Sequence, residues 1–218
     1  MELISSLIDF ILHIDQYLVE IVNNYQTWTY LILFLIIFIE TGVVVMPFLP
    51  GDSLLFAAGM LAAQPNDLNI ALLVAILLLA ATTGDSLNYA IGKRFGMQIT
   101  RLKLFGRQIV KEAQIEKTHA FYAKYGTKTI VIARFVPIVR TLAPFVGGIG
   151  KMHYGTFLTY NIIGAILWVL GVTLAGYFLG NIPFVRDNFS KVVLLIIVVS
   201  ILPIIFELIK EKVKKSAE

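Results

Sequence analysis

Five charged side chains stand in apolar sequence that tolerates charge poorly: Glu40, Asp52, Asp85, Arg134 and Arg140. Glu40 closes a run of 19 uncharged residues over 21–39, Asp85 interrupts the run that starts at Leu68, and the two arginines lie in a segment, 133–150, that carries no other charge. A carboxylate or guanidinium at membrane depth costs about 2.5–3.5 kcal/mol on insertion scales unless it is paired or wet, so each needs a chemical reason. Arginine offers planar, bidentate donation to phosphate that lysine does not, and two such forks in one segment point to an anionic group held between them. A buried carboxylate beside them, drawn one way by desolvation and the other by arginine, is placed to exchange a proton. Acids in the first half of the chain and arginines in the second are the pattern expected where a proton and a phosphate headgroup share a cavity. Plainer readings stand beside this one. Asp52, after Pro50-Gly51, fits a helix N-cap or first-turn acid. Glu40 fits an interfacial residue at a span end, and Asp85, near Thr82, Thr83, Ser86 and Asn88, a polar helix–helix contact. Arg134 and Arg140 fit internal ion-pair partners of Glu40 or Asp52.

The elements that must position these groups are membrane helices. Of 218 residues 58% are hydrophobic and 15% charged, against about 25% charged in a soluble domain. The absence of cysteine removes disulfides, thiolate nucleophiles and cysteine metal sites, and three scattered histidines, His13, His119 and His153, suggest no metal cluster. No cofactor or metal is expected, and no enzyme. Residues 1–20 mix apolar positions with Glu2, Asp9, His13, Asp15 and Glu20, which suits an amphipathic helix rather than a signal peptide. Four spans are expected, at 21–39, at 68–92 with Asp85 inside it, at 152 to about 180, and at 192–206.

Two apolar stretches do not read as simple crossings. Residues 41–63 contain Pro47, Pro50, Gly51 and Gly59, and residues 129–151 contain Pro137, Pro144, Gly147, Gly148 and Gly150. Both read as broken helices, and irregular backbone at membrane depth is tolerated only where protein or a wet cavity surrounds it, which predicts a re-entrant hairpin in each half. The linker 93–128 carries nine basic residues and two acids, and the tail 210–218 adds Lys210, Lys212, Lys214 and Lys215. Such an excess stays cytoplasmic, so both termini are placed inside and the two hairpins enter from opposite faces as an inverted repeat. The linker's charges alternate with Phe95, Leu102, Leu104, Phe105, Ile109, Val110, Ile115 and Phe121, which reads as one or two amphipathic helices on the membrane surface, without nucleic-acid recognition. The expected fold is an all-α polytopic membrane protein, one membrane domain over 1–218. It has about four spans, two re-entrant broken-helix hairpins in an inverted-repeat arrangement and amphipathic surface helices. Small residues Gly155, Gly164, Ala165, Gly171 and Ala175 permit close helix contact in the third span, in an internal seam or a homo-oligomer.

Three motifs carry a resemblance. Glu40-Thr41-Gly42 followed by Pro47-x-x-Pro50-Gly51-Asp52, then Gly84-Asp85-x-x-x-Tyr89-x-x-Gly92, then Arg134-Phe135-x-Pro137-x-x-Arg140-x-x-x-Pro144-x-x-Gly147-Gly148 resemble the DedA family of bacterial inner-membrane proteins, over about residues 25 to 210. The family is related to the eukaryotic VTT, or SNARE-associated, membrane proteins. The resemblance implies that the acids at 40 and 52 and the arginines at 134 and 140 are functionally essential. It also implies facing re-entrant hairpins and a part in membrane homeostasis, for some members the return of undecaprenyl phosphate to the inner leaflet. The leading expectation is therefore an inner-membrane carrier of a polyprenyl phosphate or anionic phospholipid, coupled to protons. Arg134 and Arg140 would hold the phosphate, and Glu40, Asp52 and Asp85 would carry or gate the proton. Pro47, Pro50, Gly51, Pro137, Pro144, Gly147 and Gly148 would let the hairpin backbones approach the headgroup. A proton-coupled small-ion or drug antiporter and a non-transporting membrane scaffold are the alternatives.

Overall fold

The computed structural model describes residues 28–43, 51–64, 68–99, 103–104, 107–108, 112–188, 191–192 and 195. The helix expected over 1–20, Pro47 and Pro50 of the first broken stretch, the body of the fourth span and the tail lie outside them. The described elements are α1 (Trp28–Gly42), α2 (Gly51–Ala62), α3 (Ile70–Ile99), a ribbon of β1 (Lys103–Leu104) and β2 (Arg107–Gln108), α4 (Glu112–Tyr125), a single 3-10 turn (Gly126–Lys128), α5 (Thr129–Ala133), α6 (Pro137–Ile149), α7 (Tyr154–Gly180) and α8 (Pro183–Asp187). The described residues are thus almost wholly helical. The described residues divide into two compact units, one within 32–49 and 75–170, the other within 1–31, 50–74 and 171–218.

Among the described residues two helices, Ile70–Gly96 within α3 and Tyr154–Gly180, are 27 residues each and apolar enough to cross a membrane. At a rise of about 1.5 Å per residue such a helix is about 40 Å long, more than the hydrocarbon thickness of about 30 Å. Only 33% of the α7 window is buried in the protein, whereas the core helix of a soluble protein hides most of its surface. The outward faces are paved with Leu72, Leu79 and Leu87 on α3 and Ile162, Ile163, Ile166 and Leu167 on α7. The inward face of α3 follows the helical repeat through Leu73, Leu77, Ala80, Ala81, Asp85, Asn88 and Tyr89, all buried.

Several expectations are corrected. The first span was taken to stop before Glu40; α1 runs three residues further, to Gly42, and buries Glu40 within it. Positions 30, 33, 37, 40 and 41 share the buried face of α1, so the carboxylate follows the apolar stripe inward instead of ending it. The basic linker was taken as surface helix throughout. Instead α3 continues past Lys93 and Arg94 to Ile99, and an antiparallel ribbon pairing Lys103 with Gln108 and Leu104 with Arg107 precedes α4. Gly92 does not end α3, because its bare Cα is the place where that helix meets the backbone of Phe145.

In the unit holding residues 32–49 and 75–170, glycines set the helix spacing. A Cβ on Gly84 would overlap the Thr41 hydroxyl and the Phe38 carbonyl, so α1 and α3 cross at the Gly42–Gly84 level with backbones in contact. A second crossing joins α3 to α6, where Gly148 lies against the Tyr89 carbonyl and the Lys93 amide. Beneath it Tyr89, Ile130, Ala133, Val139, Ala143 and Phe157 form one core cluster, with Tyr89 stacked on Phe157 at 4.5 Å between centroids. The Tyr89 hydroxyl donates to the Met152 carbonyl and the Tyr122 hydroxyl to the Ala143 carbonyl at 2.8 Å. Burial, then the negative charge of Asp85, raises the Tyr122 phenol above its ordinary value, so it stays a donor. Gly148→Ala is expected to destabilise by about 1–3 kcal/mol, since the new methyl meets backbone that cannot yield. Gly171→Ala, with nothing within 4 Å of its would-be Cβ, is the control that should be neutral or better, both read by thermal unfolding in detergent.

In the other unit, Gly59 and Gly176 bring α2 and the end of α7 into backbone contact at Thr173 and Phe56, and the amide of Asn69 donates to the Tyr30 hydroxyl at 2.7 Å. Asn69 Oδ1 then caps the start of α3 by accepting from the amides of Ala71 and Leu72 at 2.9 and 3.1 Å.

Candidate functional site

Arg134 and Arg140 are six residues apart, which in an unbroken helix would set them about 120° apart around the axis. The chain breaks between them. Pro137 takes the first position of α6, where its missing N–H costs nothing, and forces Val136 into an extended conformation (φ −120°, ψ 106°). Arg134 therefore caps the end of α5, and Arg140 stands one turn into α6. Pro144, expected to interrupt the segment as well, sits inside α6 without breaking it. Its ring leaves the Arg140 carbonyl without a helical donor.

The break turns both guanidiniums onto one small cavity lined by Glu40, Thr41, Asp85, Arg134, Arg140, Thr141 and Trp168. Its volume, about 10 Å³, is about the room one water needs. Two ion pairs close it: Arg134 Nη2 with Asp85 Oδ2, and Arg140 Nη2 with Glu40 Oε1. Glu40 is 1% exposed and Asp85 and Arg134 are 5% exposed, so these charges are withdrawn from solvent and their cost is met only by partners. The cluster of four carries no net charge.

Amide side chains complete the frame. Arg134 Nη2 also donates to Asn161 Oδ1 at 2.5 Å, while Asn161 Nδ2 donates to the Thr82 carbonyl at 3.0 Å. Asn88 Nδ2 donates to the carbonyls of Thr41 and Thr141, at 3.1 and 2.8 Å. Thr41 lies in the last turn of α1, whose carbonyls have no helical donor, so Asn88 ties that helix end to α6 next to the Glu40–Arg140 pair. Around the cavity, Arg134 Nε as a donor and Asn88 Oδ1 as an acceptor are buried with no hydrogen-bond partner among the described residues. Trp168 lies under both arginines, its ring centre 5.7 Å from Arg134 Cζ and 5.1 Å from Arg140 Cζ.

Of the expected site residues, the structure gathers Glu40, Asp85, Arg134 and Arg140. In the ion-pair reading, the arginines were paired with Glu40 or Asp52. Asp85 takes the place given there to Asp52, because it follows Gly84 at the α1–α3 crossing and so shares a level with Glu40. Asp52 is in the first turn of α2, where a carboxylate favours the positive helix end, and it is not among the cavity's described lining. Gly51 starts α2 and is buried. Gly148 packs on α3, and a Cβ on Gly147 would lie 2.7 Å from the Tyr122 hydroxyl, so neither lines the cavity. Asn88, Asn161 and Trp168 were not singled out as site residues. Their signal was present: Asn161, Gly164, Ala165 and Trp168 recur at helical spacing on one face of α7, an amide, two small residues and an indole in an otherwise apolar span. Gly164 proves to be the seat of Arg134, whose Cδ and Nε would lie 3.0 and 3.1 Å from a Cβ there. Among the described residues no three His, Cys, Asp or Glu side chains are grouped as metal ligands.

Comparison with known sequences identifies the family. The sequence pattern of the VTT domain matches residues 49–178. The chain is 56% identical over 216 residues to the protein DedA of Escherichia coli K12, covering 97% of this chain and 96% of that protein. It belongs to the DedA family. Further DedA relatives include an uncharacterized membrane protein of Mycobacterium tuberculosis H37Rv, 45% identical over 78% of this chain and 74% of its own. The inner membrane protein YqjA of E. coli K12 is 33% identical over 71% of this chain and 69% of its own. No solved structure matches. Family and helices together make this a helical membrane protein with at least two spans.

Proposed function

We propose that this protein is an inner-membrane carrier that moves a phosphate-bearing polyprenyl lipid, undecaprenyl phosphate, between leaflets, with protons as the coupled species. The observation that carries the reading is the convergence of two arginines, from either side of one helix break, on a buried cavity where each is held by a carboxylate. A phosphate monoester carries about −1.5 to −2 charges at neutral pH. Glu40 and Asp85 stand in for such a group, supplying two negative charges to the two guanidiniums. Moving the headgroup through hydrocarbon requires that it replace these carboxylates, and the site stays neutral when both carboxylates take a proton as they let go of their arginines. The cavity has room for about one water, which fits the occluded, carboxylate-held stage of that exchange. Membership of a family with an inner membrane protein among its members, and the two helices of spanning length, support a membrane-transport role. The full arrangement proposed is one membrane domain with four spans, cytoplasmic termini and two re-entrant hairpins, of which α5, the break and α6 form the second. Asp52 on the first hairpin, with Pro47 and Pro50, belongs to the gate in this scheme.

The test follows polyprenyl phosphate between leaflets in proteoliposomes holding wild type, Arg140→Gln or Glu40→Gln, each checked for folding, with and without an imposed pH gradient. Translocation by wild type that both substitutions abolish is the expected result. Equal rates in all three, or none in folded wild type under any gradient, would overturn the reading; pH-driven cation flux without lipid movement would put an antiporter in its place.

A further inference from the structure

Two guanidiniums drawn to one point repel each other, and the carboxylates that offset this must let go when a ligand enters. What then keeps the arginines convergent has to be a group that attracts cations without competing for the anion. The indole of Trp168 fits that requirement. It is 2% exposed, lines the cavity, and lies within 6 Å of both guanidinium centres, the range in which an aromatic face attracts a cation. An aromatic ring attracts the cation through its quadrupole without accepting hydrogen bonds as an oxygen would, so the N–H donors remain for an oxyanion. A carboxylate or amide in the same place would consume those donors.

The position is built on both sides. Gly164, one turn before Trp168 on α7, lets the Arg134 stem lie against that helix, and Asn161, a further turn back, takes one Nη2 proton. Arg134 Nε has no hydrogen-bond acceptor among the described residues, so this guanidinium enters the exchange with a donor to spare.

We propose that Trp168 is a positioning residue, a shared cation–π platform that holds Arg134 and Arg140 as one anion-binding pair while their carboxylate partners come and go. The inference rests on the reading that the pair takes a lipid phosphate, but the contact itself is testable apart from it. The chain has two tryptophans, and Trp28→Phe leaves Trp168 as the sole indole fluorophore. In that protein the double substitution Glu40→Gln/Arg140→Gln removes one guanidinium without stranding a carboxylate. It is expected to move the Trp168 emission maximum, and an unmoved spectrum in a folded protein would overturn the platform. The second arm measures polyprenyl phosphate translocation in Trp168→Phe and Trp168→Leu, each with its melting temperature. A platform predicts that Phe, which keeps a π face, retains most of the rate, whereas Leu loses about tenfold or more, the two melting alike. Wild-type rate in Trp168→Leu, or equal losses in Phe and Leu, would overturn it. If wild type moves no lipid, the carrier reading falls and the emission arm alone decides the platform.

Discussion

Arg134→Met is expected to destabilise the protein by about 3–5 kcal/mol, the cost of stranding a buried charge. Asp85 is the reason. Its side chain is 7% exposed and pairs with Arg134, so removing the guanidinium leaves a carboxylate without compensation. Adding Asp85→Leu should recover most of the loss, since an apolar pair of similar volume avoids the desolvation cost altogether. Thermal unfolding in detergent reads both steps. Polyprenyl phosphate translocation should stay absent in the restored double variant, because the cation proposed to bind the phosphate is gone although the fold is sound. That split between stability and transport separates a site from a brace. If the double variant were both stable and active, Arg134 and Asp85 would only hold helices together, and the carrier mechanism would have to rest on Arg140 alone.

The spans at 70–96 and 154–180 were legible because hydropathy acts over some twenty residues and needs no partner. The break before Pro137 was legible because proline acts on its own residue and the one before it. Pairing was not. That Arg134 takes Asp85 follows from the register in which α1, α3 and α6 cross, and that register is set by Gly42, Gly84, Gly92 and Gly148, whose contacts lie dozens of residues away in sequence. A glycine in an apolar span has the same local appearance whether it seats a helix, as Gly84 does, or faces open space, as Gly171 does. Trp168 was missed for a related reason: an aromatic residue in a hydrophobic run reads as core or as lipid contact until the arginines over its face are located. The short ribbon at 103–108 was missed because two-residue strands leave no period to detect, and the basic pattern around them suggested helix.

Exchanging the Glu40–Arg140 pair, as Glu40→Arg with Arg140→Glu, provides the sharpest separation of structure from transport. Arg140→Glu alone faces Glu40 with a second carboxylate in a site where the acid is 1% exposed, and it should fold poorly or not at all. The double exchange restores opposite charges at the same two positions, so its melting temperature should return most of the way to wild type. Translocation should nonetheless stay at least about 100-fold down, the scale on which a misplacement of about 1 Å acts on a bound group. The cation would now project from α1, away from the helix break, and the second guanidinium that lies over the Trp168 ring in the wild type, from position 140, would be gone. A pair that served only to join α1 to α6 has no such sense of direction, because attraction between opposite charges is the same whichever helix carries which. Recovery of transport together with stability would therefore mark the pair as a brace. Recovery of stability alone would mean that the site needs its guanidiniums at the break, side by side and facing the same cavity.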